Sequence, residues 1–298
     1  MNKRLFIPWL LVLWLAPLNL TAQTVHIWQD TPVRADKVTL VPYLPQDGKS
    51  NHTAVIVCPG GSYCWHDYDT EGTLVAEWLQ QNGIAAFVLN YRVQGIVPYI
   101  IHSRLLLRGH KHPDMLQDIQ RSIQLVRENA QVYGVDPAKI GAMGFSAGGH
   151  LVMSAACYKN FNSLALAGVE TKVSLEPNFV APVYPVVTMN KPYAHKRSRR
   201  ALLGEYKKRN HAMRDSLSLE KHVPADCPPV FLVNCADDPV VKYQNSELLD
   251  EALKARGVNH LYIQYKTGGH GFGASTVKGS AECRKWKDEF LKWIKTIE

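Results

Sequence analysis

The stretch that most constrains this chain is Lys139-Ile140-Gly141-Ala142-Met143-Gly144-Phe145-Ser146-Ala147-Gly148-Gly149-His150. Residues 140–145 form a short apolar run of the kind that fills a buried strand. Residues 147–156 are small, apolar and free of proline, which predicts a helix starting at once. Ser146 is left on the bend between the two. Gly144 and Gly148, two residues to either side, lack the side chains that would hold the strand and helix backbones apart. A strand-to-helix turn of this Gly-X-Ser-X-Gly form lifts a serine hydroxyl above the edge of a sheet. It also aims the Ala147 N–H, at the helix N-terminus, toward the space beside that hydroxyl.

Such a turn needs a parallel sheet around it, and the rest of the chain supplies strands and helices in alternation. Residues 25–28 and 38–44 alternate as two strands and predict an antiparallel start to the sheet. Residues 54–58 are apolar throughout, as in a central strand covered on both faces. A helix over 70–82 carries Leu74, Val75, Trp78 and Leu79 at helical spacing, with Gly83 as its C-cap. A strand over 85–89 follows. The helix expected over 113–133 has Leu116, Ile119, Ile123, Val126 and Ala130 on one face and ends at Gly134. The apolar run 179–187, interrupted by Pro182 and Pro185, reads as a strand near the top of the sheet. A strand over 230–235, a helix over 243–256, a strand over 260–265 and a helix over 281–297 complete the order. Strand, helix and strand at these lengths predict parallel βαβ units and one α/β domain over 23–298.

Residues 1–22 stand apart from that domain. Lys3 and Arg4 precede an apolar run from Leu5 to Leu18, broken by Pro8 and Pro17, and Leu20-Thr21-Ala22 offers a small residue for cleavage. This is the pattern of a secretory signal peptide cut after Ala22, and the run is shorter than a bilayer span requires. The mature chain is therefore expected in the periplasm or secreted, with no stable membrane span. Loss of Lys3 and Arg4 takes the net charge from +8 to +6. No basic stripe is interleaved with aromatics at nucleic-acid spacing, so a nucleic-acid partner is not expected.

Export makes disulfides a possibility for the six cysteines. Cys58 and Cys64 bracket one turn and are the candidate pair, whereas Cys157 and Cys235 read as small core residues. Residues 93–113 lose periodicity and carry His102, His110 and His112. Without a carboxylate or cysteine framework these predict an exposed loop, and neither a metal nor another cofactor is expected. His195, Lys196, Arg197, Arg199, Arg200, Lys207, Lys208 and Arg209 crowd residues 191–214. They read as a solvated cap helix, with a rim favouring uronate-bearing polysaccharides as the alternative.

A serine hydroxyl needs a base within hydrogen-bond reach, and the base needs a carboxylate to orient it. Ser146, Asp237 and His270 supply the three in that order, each just past a predicted strand, at the edge where open parallel sheets hold ligands. Asp237 is read as the acid, with the adjacent Asp238 as its rival. Pro59-Gly60-Gly61-Ser62 follows the strand at 54–58 and offers backbone N–H groups free of side-chain bulk. Gly61 or Ser62 would join Ala147 in an oxyanion hole. Tyr63, Trp65 and His66 crowd the same loop and Tyr91 leaves the next strand. Their rings offer flat surfaces for a sugar or aryl group, or else pack the loop against the body.

The chain resembles the bacterial esterase family that includes xylan and hemicellulose acetylesterases, within the α/β-hydrolase superfamily. The matching residues are Cys58-Pro59-Gly60-Gly61-Ser62-Tyr63, Thr70-Glu71-Gly72, Asn90-Tyr91-Arg92-Val93, Asp118-Ile119-Gln120-Arg121, the run 141–150, Asp237-Asp238-Pro239-Val240-Val241 and Gly269-His270-Gly271. The resemblance implies an α/β-hydrolase fold, a mostly parallel central sheet with helices on both faces and a small cap or loop insertion. It also implies a cofactor-free serine esterase acting on acetylated plant polysaccharides or oligosaccharides, with Ser146, Asp237 and His270 as the triad. A broader carboxylesterase or feruloyl-type esterase is the second reading, and a non-catalytic carbohydrate-binding protein the third. Ser62 stands where many relatives have a third glycine, which leaves the identity of the donating N–H open. The long His-bearing loop departs from the family as well and bears on the substrate.

Overall fold

The computed structural model describes residues 23–46, 48–95, 97 and 109–297. The expected signal peptide over 1–22 and most of the expected loop over 93–113, His102 included, lie outside these residues. Among the described residues eight strands form one sheet: β1 (Val25–His26), β2 (Thr39–Tyr43), β3 (Ala54–Cys58), β4 (Ala85–Asn90), β5 (Ile140–Phe145), β6 (Val180–Val183), β7 (Val230–Cys235) and β8 (His260–Tyr265). The helices in chain order are α1 (Leu74–Gln81), α2 (Asp114–Glu128), α3 (Ala130–Tyr133), α4 (Ala147–Cys157), α5 (Lys196–Lys207), α6 (His211–Asp215), α7 (Gln244–Ala255) and α8 (Trp286–Ile294).

The strand order is β1-β2-β4-β3-β5-β6-β7-β8. The pairs β1/β2 and β2/β4 are antiparallel and every later pair is parallel. This is the α/β-hydrolase fold that the resemblance implies, and its parallel βαβ units are those that the alternating pattern predicts. From β3 the chain steps outward to β4 and then returns to place β5 on the other side of β3. The crevice beyond the carboxyl ends of β3 and β5 is thus a topological switch point, where open sheets of this kind bind ligands.

Period-two alternation sorts the strand residues between two cores. Ala54, Ile56 and Cys58 of β3 pack with Leu116, Ile119 and Ile123 of α2, Leu151 and Val152 of α4, and Leu249 and Leu253 of α7. Val55 and Val57 face the opposite core, with Val75 and Leu79 of α1 and Trp286, Phe290 and Trp293 of α8. No helix among the described residues is long and apolar enough to cross a membrane.

Local chemistry overrides the sequence pattern in three places. The helix expected over 113–133 breaks at Asn129, whose side-chain amide donates to the Leu125 carbonyl and competes with the helical ladder. The basic segment 191–214 forms two helices and is only half solvated. Ser198, Ala201, Leu202 and Leu203 of α5 are buried, and the helix kinks at Gly204, where φ is 78° and ψ 175°. Cys58 and Cys64 form no disulfide. Cys58 lies in the core of β3, whereas the Cys64 thiol turns to the Ser62 carbonyl at 3.7 Å.

One buried polar cluster ties the first strands to α2. Asp118, wholly buried, accepts hydrogen bonds from the Trp28 indole at 2.7 Å, the Arg92 backbone N–H at 2.6 Å and the Arg92 guanidinium at 2.9 Å. The guanidinium also lies 5.1 Å from the centre of the Trp28 ring. Every oxygen of the carboxylate is satisfied, and its removal would leave the buried Arg92 guanidinium only the longer ion pair to Asp114 at 3.7 Å. Asp118→Ala is therefore expected to lose about 3–5 kcal/mol in urea unfolding. A loss below about 1 kcal/mol, the size of an average substitution, would show that the cluster is not what joins these elements.

Candidate active site

The site is assembled from loops at the carboxyl ends of β3, β5, β7 and β8. At the end of β5, Ser146 adopts φ 54° and ψ −113°, and α4 begins at the next residue. Left-handed φ in a residue with a Cβ costs roughly 1–2 kcal/mol, so the surroundings must hold it. The Ser146 N–H donates to the Val183 carbonyl at 3.0 Å, and the Ser146 carbonyl accepts from His150 at 3.2 Å and Val186 at 3.1 Å. A Cβ on Gly148 would lie 2.0 Å from the Cys58 carbonyl oxygen, and one on Gly144 would lie 2.1 Å from the Gly148 carbonyl oxygen. Both flanking glycines are sterically required.

His270, on the loop after β8, places Nε2 2.9 Å from Ser146 Oγ and Nδ1 2.6 Å from Asp238 Oδ2. The Nδ1–H donates to the carboxylate, which leaves the Nε2 lone pair to accept the serine proton. The acid facing the imidazole is thus Asp238, and the assignment of Asp237 is corrected. In the turn that leaves β7, the Asp238 side chain points inward and is 1% exposed. Its other oxygen accepts the N–H groups of Val240 at 2.8 Å and Val241 at 2.9 Å. Asp237 points outward, where it accepts the N–H groups of Gly268 at 3.2 Å and Gly269 at 2.8 Å and so braces the histidine loop.

The loop after β3 lies against the serine turn, since a Cβ on Gly60 would sit 3.0 Å from the Ser146 Cβ. Gly61, Ser62 and Tyr63 follow with φ of 129°, 60° and 62°. Among the described residues the N–H groups of Gly61, Ser62 and Ala147 donate to no protein acceptor. They flank Ser146 from two adjacent strand ends, as donors to a developing oxyanion must.

The aromatic residues divide by burial. Tyr63 and Tyr91 are each 1% exposed, so neither offers a face to a substrate. The Tyr91 hydroxyl donates to the Pro59 carbonyl at 2.6 Å, and the Tyr63 hydroxyl donates to His150 Nδ1 at 2.8 Å. His150 in turn donates from Nε2 to the Leu217 carbonyl at 2.9 Å, and burial pushes its pKa down to about 4, which keeps the ring neutral. Rings buried in a glycine-rich loop use their hydroxyls as ties, and these two hold the oxyanion loop from behind. His66 packs edge-on against Tyr91, with centroids 4.4 Å apart, and burial pushes it down to about 4. Trp65 is 37% exposed and carries the Arg197 guanidinium 5.3 Å from its ring centre, so it forms the rim with the first turn of α5.

Two neighbours of His270 are not among the site residues expected from the sequence, where His195 reads as part of a solvated cap helix. Tyr184 packs against the imidazole with centroids 4.7 Å apart and the ring planes tilted by 55°. His195, at the start of α5, is half-buried and pairs through Nδ1 with Ser198 Oγ at 2.8 Å. Burial pushes it down to about 4, the nearby His270 charge adds to that, and Asp238 opposes it. Both residues sit just past or beyond β6, in a segment whose prolines and basic residues mask the contact.

The BD-FAE family model matches residues 41–253. The chain belongs to the BD-FAE family. A BD-FAE chain of this kind is similar to the crystal structure of an acetyl ester-xyloside bifunctional hydrolase from Caldicellulosiruptor lactoaceticus. That likeness has a TM-score of 0.78 and 32% identity and covers 92% of this chain and 96% of that one. Among curated relatives, an acetylxylan esterase of Xylanibacter ruminicola is 28% identical over 100% of this chain and 55% of its own length. Endo-1,4-beta-xylanase B of Butyrivibrio fibrisolvens is 32% identical over 83% of this chain and 37% of its own length. The chain therefore spans about half or less of these two relatives.

The two aspartates differ sharply in what they hold, which the reactivity of Ser146 would report. Asp238→Asn should slow labelling of Ser146 by a phosphonofluoridate about a thousandfold or more, because the amide reverses the imidazole tautomer. Asp237→Asn should slow it by about tenfold or less, since it only weakens hydrogen bonds to the loop. Equal effects would return Asp237 to the triad.

Proposed function

We propose that this chain is a serine carboxylic-ester hydrolase that removes acetyl groups from xylan-type polysaccharides or their oligosaccharides. The observation that carries the proposal is the continuous chain from Asp238 through His270 to Ser146 Oγ, at 2.6 and 2.9 Å, beside N–H groups left without acceptors. Binding alone has no use for a serine held at a strained backbone angle against a base.

The chemistry follows from the geometry. Ser146 Oγ attacks the ester carbonyl while His270 Nε2 takes its proton, and Asp238 stabilises the imidazolium that forms. The carbonyl oxygen, now charged, is met by the Ala147 N–H and by Gly61 or Ser62. One such donor is typically worth about 2.7–4 kcal/mol of barrier. His270 then protonates the sugar oxygen as its bond to the acetyl carbon breaks, so the sugar departs as the alcohol and an acetyl group stays on Ser146. Water enters, gives a proton to His270 and adds to the acetyl carbon; the bond to Ser146 Oγ then breaks, the serine oxygen takes the proton back from His270, and acetate departs.

Support for the sugar substrate comes from the relatives named for acetylxylan and xylan chemistry and from the partly exposed Trp65 at the rim. A flat indole face suits the axial C–H surface of a pyranose. The leader-like character of residues 1–22 supports export to the periplasm or beyond, where such polymers are met.

Acetate release from acetylated xylan, pectin and mannan tests the proposal. Wild-type protein should release acetate fastest from xylan, and Ser146→Ala should lower that rate by about ten-thousandfold or more. Comparable rates in the two proteins would remove Ser146 from the reaction. A clear preference for pectin or mannan would overturn the substrate class.

A further inference from the structure

Glu71 is 2% exposed and lies beside the site, yet it takes no part in the proton transfers described above. It sits on a single π turn (Asp69–Thr73) between the oxyanion loop and α1, and turns of that kind recur at functional sites. One carboxylate oxygen accepts the Gly60 N–H at 2.7 Å. The other accepts the Tyr184 hydroxyl at 2.8 Å, and the Tyr184 oxygen in turn accepts the Gly273 N–H at 2.9 Å. Gly60 precedes the oxyanion donors of its loop, Gly273 follows His270 by three residues, and the tilted Tyr184 ring packs against His270 itself. The fit is close at both ends, since a Cβ on Gly60 would lie 2.5 Å from the Glu71 carboxylate and one on Gly273 would lie 2.3 Å from the Thr70 carbonyl oxygen. The turn is also joined directly to the histidine loop, by Ala274 N–H to the Thr70 carbonyl at 3.1 Å.

We propose that Glu71 is a positioning residue for the acyl transfer: its ionised carboxylate clamps the oxyanion loop at Gly60 to the histidine loop at Gly273 through Tyr184. The inference rests on the hydrolase reading above. The Gly61 and Ser62 donors and the general base lie on loops from opposite ends of the sequence, and no shared strand sets their separation. A carboxylate that accepts at both oxygens supplies that missing connection, whereas a protonated acid would have to donate at one of them. It also places a second negative charge near the imidazolium that forms on His270.

The charged and titratable groups that bear on Glu71 are His270, Asp67, Tyr184 and Tyr91, and Asp67 is itself met by Lys278 at 3.7 Å. Burial pushes Glu71 up to about 7, opposed by the Tyr184 hydrogen bond, the His270 charge and the Gly60 N–H, with Asp67 raising it further. Because the folded value lies above the ordinary carboxylate range, the protein binds more protons folded than unfolded between those two values. Ionising Glu71 therefore costs stability as pH rises toward and through 7. Function and stability then have opposite signs at this residue. Replacement by glutamine should stabilise the fold at pH 8 while loosening the clamp.

The test compares wild type, Glu71→Gln and Tyr184→Phe in p-nitrophenyl acetate hydrolysis from pH 5.5 to 9, with Tm measured across the same range. At pH 8 Glu71→Gln should lower kcat by about a hundredfold with KM changed less than about threefold, as expected when reacting groups are misplaced. Its Tm at pH 8 should equal or exceed that of wild type, and the kcat deficit should shrink as pH falls below 7. Tyr184→Phe, which keeps the ring on His270 but cuts the clamp, should show the same split. An unchanged kcat, or a deficit that is independent of pH and accompanied by a lower Tm, would reduce Glu71 to a structural residue. Failure of the hydrolase reading looks different, because wild type would then match Ser146→Ala in the same assay.

Discussion

The structure depends on two backbones approaching almost to contact at the carboxyl ends of β3 and β5. Gly148, in the first turn of α4, lies so near the Cys58 carbonyl that not even a methyl group fits, and a Cβ on Gly60 would lie 3.0 Å from that of Ser146. That approach forces the chain at Ser146 into a left-handed bend, which parallel-strand hydrogen bonds and the start of α4 hold in place. It also brings the free N–H groups of Gly61 and Ser62 beside that of Ala147. Strain at one residue and unsatisfied donors at three others are costs that a fold without chemistry to perform has no reason to carry.

Around this contact the protein builds a layer of hydroxyl and imidazole ties. Tyr91 holds Pro59, Tyr63 holds His150, His150 holds Leu217, and Tyr184 links Glu71 to Gly273. Each partner is buried, so each bond acts in a low dielectric and an unmade one would be expensive. The ties converge on the loops that carry the reacting groups. Preorganisation of this kind is what lets hydrogen-bond donors stabilise a developing charge without rearranging when it appears.

Much of this was legible in the order of residues. Runs such as Ala54-Val55-Ile56-Val57-Cys58, apolar on both faces, leave no alternative to a buried parallel strand, and Gly-Phe-Ser-Ala-Gly between a strand and a helix leaves little alternative to the bend. Ser146 and His270 follow from those patterns and the chain order. The choice between Asp237 and Asp238 does not, because neighbours in a tight turn point in opposite directions and only the turn's geometry decides which faces inward. Tyr63 and Tyr91 misled for another reason: an aromatic ring beside a glycine loop serves equally as a binding surface or as a brace, and burial alone separates the two. Glu71 stood out only as part of the Thr70-Glu71-Gly72 match; its burial was hidden inside a helical pattern, where a glutamate ordinarily faces solvent, and the π turn that buries it has no sequence signature of its own.

The central claim is that Ser146, His270 and two sets of backbone N–H groups form one preorganised acyl-transfer site. The most direct measurement is a crystal structure of the protein after Ser146 has reacted with a phosphonofluoridate, whose tetrahedral phosphorus stands in for the reacting carbon. The account predicts the phosphoryl oxygen at about 2.7–3.1 Å from the Ala147 N and from Gly61 or Ser62 N. The imidazole should remain bonded to Asp238. An adduct whose phosphoryl oxygen turns toward Trp65 and solvent, with the Gly61 and Ser62 N–H groups out of reach, would contradict it.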